Sequence, residues 1–89
     1  MANDQFPDGH YCSEAQIWMI LPTHERKKSR WNGNVVVGYP GFDGVEFQMT
    51  AGSPEILALY PNTDEIGVVA TDLEDLVNKW NTDSIDYPF

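Results

Sequence analysis

The sequence predicts an α+β fold, a mostly antiparallel sheet of about five strands with a C-terminal amphipathic helix packed on one face. Three observations predict it. Short apolar, β-branched runs recur between turn signals, which is typical of antiparallel strands. One apolar stripe at helical spacing follows them near the C-terminus. Strands that precede a terminal helix favour a sheet that carries the helix on one face.

Five segments have the composition and length of strands. Each is rich in valine, isoleucine, leucine or aromatic residues, and each is bounded by glycine, proline, asparagine or aspartate. In the last segment, Gly67 predicts a β-bulge or a close backbone approach. The predicted strands cover residues 15–21, 34–39, 45–49, 55–60 and 66–70.

A hairpin signal joins the second and third predicted strands. Asp43-Gly44 lies between two apolar runs, where it favours a tight turn. In the strand that follows, three apolar residues alternate with Glu46 and Gln48. Because side chains alternate between the faces of a strand, this pattern predicts one buried face and one polar face.

A helix is predicted directly after the strands. Thr71 and Glu74 have the spacing of a capping box, in which the threonine oxygen accepts a backbone hydrogen bond and the glutamate reaches back. Four apolar residues then recur at i, i+3, i+4 and i+7 and predict the buried stripe. They are Leu73, Leu76, Val77 and Trp80.

The chain length indicates one folded domain. A chain of 89 residues is below the usual size for two domains, and 42% hydrophobic residues suffice for a modest core. Residues 1–13 mix proline, glycine and aspartate with no apolar period, and they are expected to form a loosely held arm. Residues 14–89 are expected to form the single small α+β domain.

The charge is unevenly distributed and bears on the partner. The net charge is −9, and ten carboxylates follow residue 31 against one cation, Lys79. Such a surface repels nucleic acid and anionic lipid, so direct binding to either is not expected, and it attracts a basic protein. The absence of a secretory signal or a long apolar run predicts a cytoplasmic location.

The titratable residues predict no catalytic, metal or cofactor site. His10 and His24 lie fourteen residues apart without metal-ligand spacing. A Cys12 and His24 nucleophilic pair is conceivable, but nothing in the sequence requires the two to meet. Asp43 and Glu46 could pair across the hairpin turn, and the simpler interpretation is a turn residue and a solvated strand residue. No phosphate-binding glycine motif is present, since the glycines precede a strand.

A basic cluster stands out against the acidic remainder. It comprises four of the five cations, followed by Trp31, an arrangement that could bind single-stranded nucleic acid. The surrounding acidity favours a solvated loop instead, one that pairs with the protein's own carboxylates or touches a partner. The sequence alone does not decide the role of this cluster. Its members are Arg26, Lys27, Lys28 and Arg30.

The order of features over residues 35–80 resembles the SUKH superfamily, the Smi/Knr-like domains. A valine-rich strand leads into the turn GYPGFDG at residues 38–44, followed by the strand VEF at 45–47. A strand ending in Tyr-Pro at 60–61 comes next, and the run VVATDLEDL at 68–76 resembles the family's closing strand and helix. The family's N-terminal helices are missing or eroded, so the chain resembles a shortened relative. The resemblance implies a non-catalytic role, as in immunity proteins that neutralise a toxin, often a nuclease, or in regulatory scaffolds.

These observations predict a protein-binding module that is not an enzyme and whose acidic surface binds a basic partner, such as a toxin nuclease. The alternative is a regulatory or structural subunit that acts through homo-oligomerisation, for instance as a homodimer formed through an exposed sheet edge or apolar patch. The predicted contact residues are exposed acids on loops with aromatic neighbours. They are Tyr39, Phe42, Asp43, Glu46, Tyr60, Asp64 and Glu65.

Overall fold

The computed structural model describes residues 6–14, 16–41 and 44–87. These ranges contain seven strands, one α-helix and a short 3-10 helix at Thr23–Glu25, and no helix among them is long and apolar enough to cross a membrane. In chain order the main elements are β1 (His10–Cys12), β2 (Ile17–Ile20), β3 (Lys27–Lys28), β4 (Val35–Gly38), β5 (Glu46–Met49), β6 (Ile56–Tyr60), β7 (Glu65–Ala70) and α1 (Leu73–Asn81).

Five of the strands form one antiparallel sheet in the order β3-β4-β5-β6-β7. Each strand pairs with its neighbour in sequence, as expected for hairpins joined by short turns. β1 and β2 form a second, two-stranded antiparallel sheet. The predicted α+β class is confirmed, and each of the five predicted segments contains an observed strand.

Some described residues of the N-terminal segment form regular structure, although its composition has no apolar period. The segment expected to be a loose arm contains β1, which pairs with β2 and places His10 opposite Ile20. The described residues before β1 are also held in place, because Pro7 O accepts a hydrogen bond from Thr23 N at 3.0 Å. A three-residue strand has no readable side-chain period, and its order comes from backbone pairing.

The small sheet docks on the large one through β2 and β4. Leu21 N donates to Val37 O at 2.6 Å, and Tyr39 N donates to Trp18 O at 3.2 Å. Gly38 lies at this contact, where a β-carbon would overlap the backbone of β2. β3 pairs with the first two residues of β4, so β2 and β3 together cover the outer side of that strand.

The hydrophobic core lies between β2, one face of the large sheet and α1. Phe47 on β5 and Ile56 on β6 are fully buried, as the alternation in these strands requires. A close-packed set of this kind supplies most of the stabilisation of a small domain. Its members are Met19, Ile20, Val37, Val45, Phe47, Ile56, Ala58, Val69, Ala70, Leu73 and Leu76.

The helix begins one residue later than the capping box predicts. Asp72 is the N-cap, and its Oδ1 accepts a hydrogen bond from Asp75 N at 2.7 Å. Asp75 Oδ2 in turn accepts at 3.0 Å from the backbone N of Thr71, the residue before the cap, so two aspartates accept backbone N–H groups at the start of the helix. The predicted stripe faces the core, with Leu73 and Leu76 buried and Val77 and Trp80 half-buried.

The sequence predicts a β-bulge or a close backbone approach at Gly67, but the irregularity in β7 lies elsewhere in the strand. Gly67 pairs regularly with Ala58. The register shifts between Ile56 and Leu57, which leaves Val69 as the extra residue of β7. The oxygen of Val69 accepts a hydrogen bond from Lys79 Nζ at 3.3 Å, so the helix satisfies the backbone group that the bulge frees.

The C-terminal residues return to the core. Ile85 and Tyr87 pack against it, and burial is the main cause that raises the pKa of the Tyr87 phenol, with the charge of Asp83 second.

Candidate partner-binding surfaces

A buried amide organises the face of the large sheet that points away from the core. Gln48 on β5 is fully buried, although the alternation of its strand predicts an exposed polar residue. Its Oε1 accepts hydrogen bonds from Asn32 Nδ2 at 3.0 Å and Asn34 Nδ2 at 3.2 Å, and its Nε2 donates to Glu46 Oε1 at 2.9 Å. These bonds offset the desolvation of the amide, which explains why a polar side chain is buried here.

The segment of residues 29–34, named here the cover loop, lies over this amide. The hydroxyl of the buried Ser29 donates to Glu46 Oε1 at 2.7 Å, and Ser29 Oγ accepts from Trp31 N at 3.1 Å. Within the loop, Asn32 Oδ1 accepts from Asn34 N at 2.9 Å. The cover loop is therefore fixed to the sheet by side chains that the sequence marks only as loop residues.

A cleft of about 420 Å³ opens beside the cover loop. Arg30 lies over the exposed Trp31 ring, with its Cζ 5.0 Å from the ring centroid, in a cation–π contact. At the other side, burial raises the pKa of the Tyr39 phenol, and the charge of Glu46 raises it further. The cleft is lined by Lys27, Lys28, Ser29, Arg30, Trp31, Val36, Tyr39, Gly44, Glu46 and Pro61.

The structure divides the basic cluster. Arg26 turns towards the N-terminal residues and donates from Nε to Leu21 O at 2.9 Å and from Nη2 to Phe6 O at 2.8 Å. It has a structural role that its place in a charge run does not indicate. The other three cations line the cleft, and the two lysines of β3 are exposed.

Beyond the cover loop, the same face of the sheet is apolar; Leu59 on it is buried, Leu57 is half-buried, and the face is open at β7. The register places Leu57 between Gln48 and Val68, and Leu59 between Glu46 and Ile66. Directly opposed residues of an antiparallel pair share a face, so the apolar side chains of β6 and β7 continue the face on which Gln48 lies. Ile66 is 43% exposed and Val68 is 51% exposed. These four apolar residues of β6 and β7 are named here the outer patch: Leu57, Leu59, Ile66 and Val68.

Five of the seven predicted contact residues are described, and all five lie towards one end of the large sheet. Tyr39 and Glu46 line the cleft, and Glu46 accepts hydrogen bonds from within the protein. Tyr60 is half-buried against the core. Asp64 and Glu65 are exposed at the turn into β7, next to the outer patch. The other two, Phe42 and Asp43, lie outside the described residues.

Sequence reasoning missed the outer patch. Ile66 and Val68 belong to a predicted strand, but short β-branched strands are typical of buried positions, and nothing local marks a face as uncovered. The alternation of these residues with Gly67 was the available signal, since it shows that both lie on one face.

The titratable residues do not assemble into a recognisable catalytic arrangement in the described ranges. Cys12 is a half-buried free thiol, and His10 packs edge-on against Phe6 with ring centroids 6.0 Å apart. His24 Nε2 lies 3.6 Å from Glu25 Oε2 at the surface. Among the described residues, no group of three or more histidine, cysteine or acidic side chains has metal-site geometry.

The chain was compared with protein-family models, with curated proteins and with solved structures. It matches none of them.

Proposed function

We propose that this protein is a non-catalytic protein-binding module that holds a cationic partner protein against the outer patch. The observation that carries the proposal is the exposure of Ile66 and Val68 on β7, a strand that is entered through the exposed acids Asp64 and Glu65. An apolar centre with a charged rim is the usual composition of a protein–protein interface. Two half-exposed β-branched residues on one strand also form a rigid contact, because few rotamers are lost on binding.

The apolar contribution of the patch is moderate. Full burial of an exposed valine or isoleucine contributes roughly 1.5–3 kcal/mol, and about half of each side chain is already covered, so each contributes about 1 kcal/mol on binding. Such values support recognition but not tight binding alone. The charge supplies the remaining selectivity.

Electrostatic attraction selects the partner. Residues 55–78 contain no lysine or arginine, and within them lie the outer patch and six carboxylates. With a net charge of −9, the protein attracts a basic surface over distances near the Debye length, about 8 Å at physiological salt. Binding is therefore expected to be fast at low salt and to weaken as salt rises.

The resemblance to Smi/Knr-like domains indicates a kind of partner. Immunity proteins of that family neutralise toxins, often nucleases, and a nuclease has a basic cleft. An acidic module of this size is suited to cover such a cleft. A cytoplasmic immunity role is the specific form of the proposal, and the binding of a cationic protein is its general form.

A second candidate function, that of a self-associating regulatory or structural subunit, is favoured by the edge of β7, which pairs with no further strand in the described ranges. The charge opposes it, because two copies that each carry −9 repel one another. A molar mass measured by light scattering at physiological salt distinguishes the two candidates. A monomer that binds a basic protein supports the first.

The test uses the immobilised full chain as bait in extracts of its native cell. The double variant Ile66→Glu and Val68→Glu places charges in the outer patch, and the control Tyr11→Glu places one in an exposed aromatic residue of β1. Tyr11 is 48% exposed, close to the values for the patch. We expect the wild type and the control to retain the same basic protein, and the double variant to lose it. Equal retention by the double variant would show that the outer patch is not the binding surface.

A further inference from the structure

The two edges of the large sheet are built differently. At one edge, β3 has only two residues, both lysines, and β2 bonds to the rest of β4. Short strands and edge lysines are the usual means by which proteins prevent a sheet from pairing with another chain. At the other edge, β7 has six residues and contains no lysine or proline. In the described part of the chain, no strand pairs with its outer side.

The open part of β7 is its first four residues. Near the end of the strand, the Val69 carbonyl accepts from Lys79, and α1 begins at Leu73. From Glu65 to Val68 the backbone pairs with β6 on one side only. In an antiparallel pair, alternate residues direct their N–H and C=O groups away from the partner, so this segment presents hydrogen-bonding groups to a further strand.

The side chains next to this edge determine what kind of strand fits. A strand added to β7 would place alternate side chains beside Ile66 and Val68, the exposed members of the outer patch. Asp64 and Glu65 lie at one end of the open segment. Glu55 directly precedes β6, whose first residue pairs with the last of β7, so a carboxylate also lies towards the other end.

We propose that the partner binds by strand addition: an extended cationic segment pairs with β7 along Glu65–Val68 and extends the sheet to a sixth strand. This inference rests on the proposed function and specifies its binding mode. Backbone hydrogen bonds to the open edge supply the register. Alternate apolar side chains of the segment cover the outer patch, and its cationic side chains face the carboxylates at the two ends. A second copy of this chain fits less well, because β7 has no lysine or arginine, and Lys79, which contacts Val69 O, is already paired with Asp75.

The test uses the full chain and synthetic peptides with blocked ends. The first peptide alternates lysine and valine over seven residues. The second has the same sequence with N-methyl groups on two adjacent central residues, which removes a donor from each edge of the strand. The third replaces lysine with glutamate. Affinities are measured by fluorescence anisotropy, and hydrogen exchange of the β7 amides is followed by NMR.

We expect the lysine peptide to bind and to slow exchange at Glu65–Val68. The N-methylated peptide should bind at least about fivefold more weakly, since one hydrogen bond of roughly 1 kcal/mol to the edge of β7 is lost. The glutamate peptide should not bind. Val68→Lys should abolish binding, and Tyr11→Lys, with the same charge change at a site of similar exposure, should leave it unchanged.

The outcomes that contradict the inference are separable from those that contradict the proposed function. Equal affinity of the methylated and unmethylated lysine peptides would refute strand addition and leave side-chain docking of a cationic partner intact. Failure of every peptide, together with retention of the native partner by the patch variant, would refute both. Protection of Glu65–Val68 that rises with protein concentration alone would identify a second copy as the occupant and overturn the inference.

Discussion

Substitution of the buried amide with Gln48→Leu tests whether the polar network holds the cover loop on the sheet. Leucine is close to glutamine in size and keeps the position filled, so the change removes hydrogen bonds without a large cavity. Three side-chain bonds are lost, two from asparagine amides and one to the Glu46 carboxylate. Asn32, Asn34 and Glu46 then lose their shared partner.

The expected loss of stability follows from these bonds. Each neutral bond contributes about 1 kcal/mol and the bond to the carboxylate about 2 kcal/mol, a gross loss of about 4 kcal/mol. The apolar leucine side chain at a fully buried position recovers about 2 kcal/mol. The free energy of unfolding should therefore fall by about 2 kcal/mol. For a domain of this size that is a decrease in Tm of roughly 8–16 °C.

Urea unfolding monitored by far-ultraviolet circular dichroism provides the measurement. With an m-value of about 1 kcal/mol per M, the midpoint should fall by about 2 M. Asn62→Leu is the control, because it makes a similar change at an exposed turn residue and should alter stability by no more than about 0.5 kcal/mol. If Gln48→Leu unfolds at the wild-type midpoint or above it, the network does not stabilise the fold and the interpretation of the cover loop is wrong.

Three further predictions concern the core, the contact between the sheets and the helix cap. Leu76→Ala should destabilise the protein by about 2–5 kcal/mol, because the side chain is fully buried; a loss below 1 kcal/mol in urea unfolding would place Leu76 outside the core. Gly38→Ala should lower Tm by more than any exposed substitution, since its β-carbon overlaps the Met19 backbone, and an unchanged Tm would argue against that contact. The hydrogen bond from Thr71 N is the main cause that lowers the pKa of the Asp75 carboxyl; desolvation opposes it, and Lys79 lowers the pKa further. A lowered folded-state pKa means that the carboxylate stabilises the fold at neutral pH and that this contribution is lost as the pH falls through the folded-state pKa. Asp75→Asn should therefore lower stability at pH 7 and flatten the loss of stability below pH ~4, and a wild-type pH profile would contradict the assignment.

Several parts of the fold could be predicted because their signals are local. The β4–β5 hairpin follows from turn residues between apolar runs, and α1 follows from a cap and a four-residue stripe. The N-cap of α1 is Asp72, one residue after the predicted Thr71. Both residues have a side chain suited to an N-cap, and only the backbone conformation distinguishes them. β1 could not be predicted, since three residues with no apolar period become a strand only when β2 lies beside them.

The candidate site was predicted in part, for a similar reason. The acids at Asp64 and Glu65 were visible as charges in a turn, and the structure places them at the surface. The burial of Gln48 and the exposure of Val68 are both contrary to what their residue types favour. The cover loop covers Gln48 and ends before Val68. Its position depends on hydrogen bonds between residues that are far apart in sequence.

The sequence by itself determined the α+β class, the positions of the main strands, the terminal helix and the acidic charge of the second half. Each of these depends on residues within a few positions of one another, or on a sum over the chain. Only the tertiary structure decided which face of the sheet is covered, which edge is closed and where the basic cluster divides. Those features arise when segments distant in sequence compete for the same surface, and no local pattern records which of them reaches it.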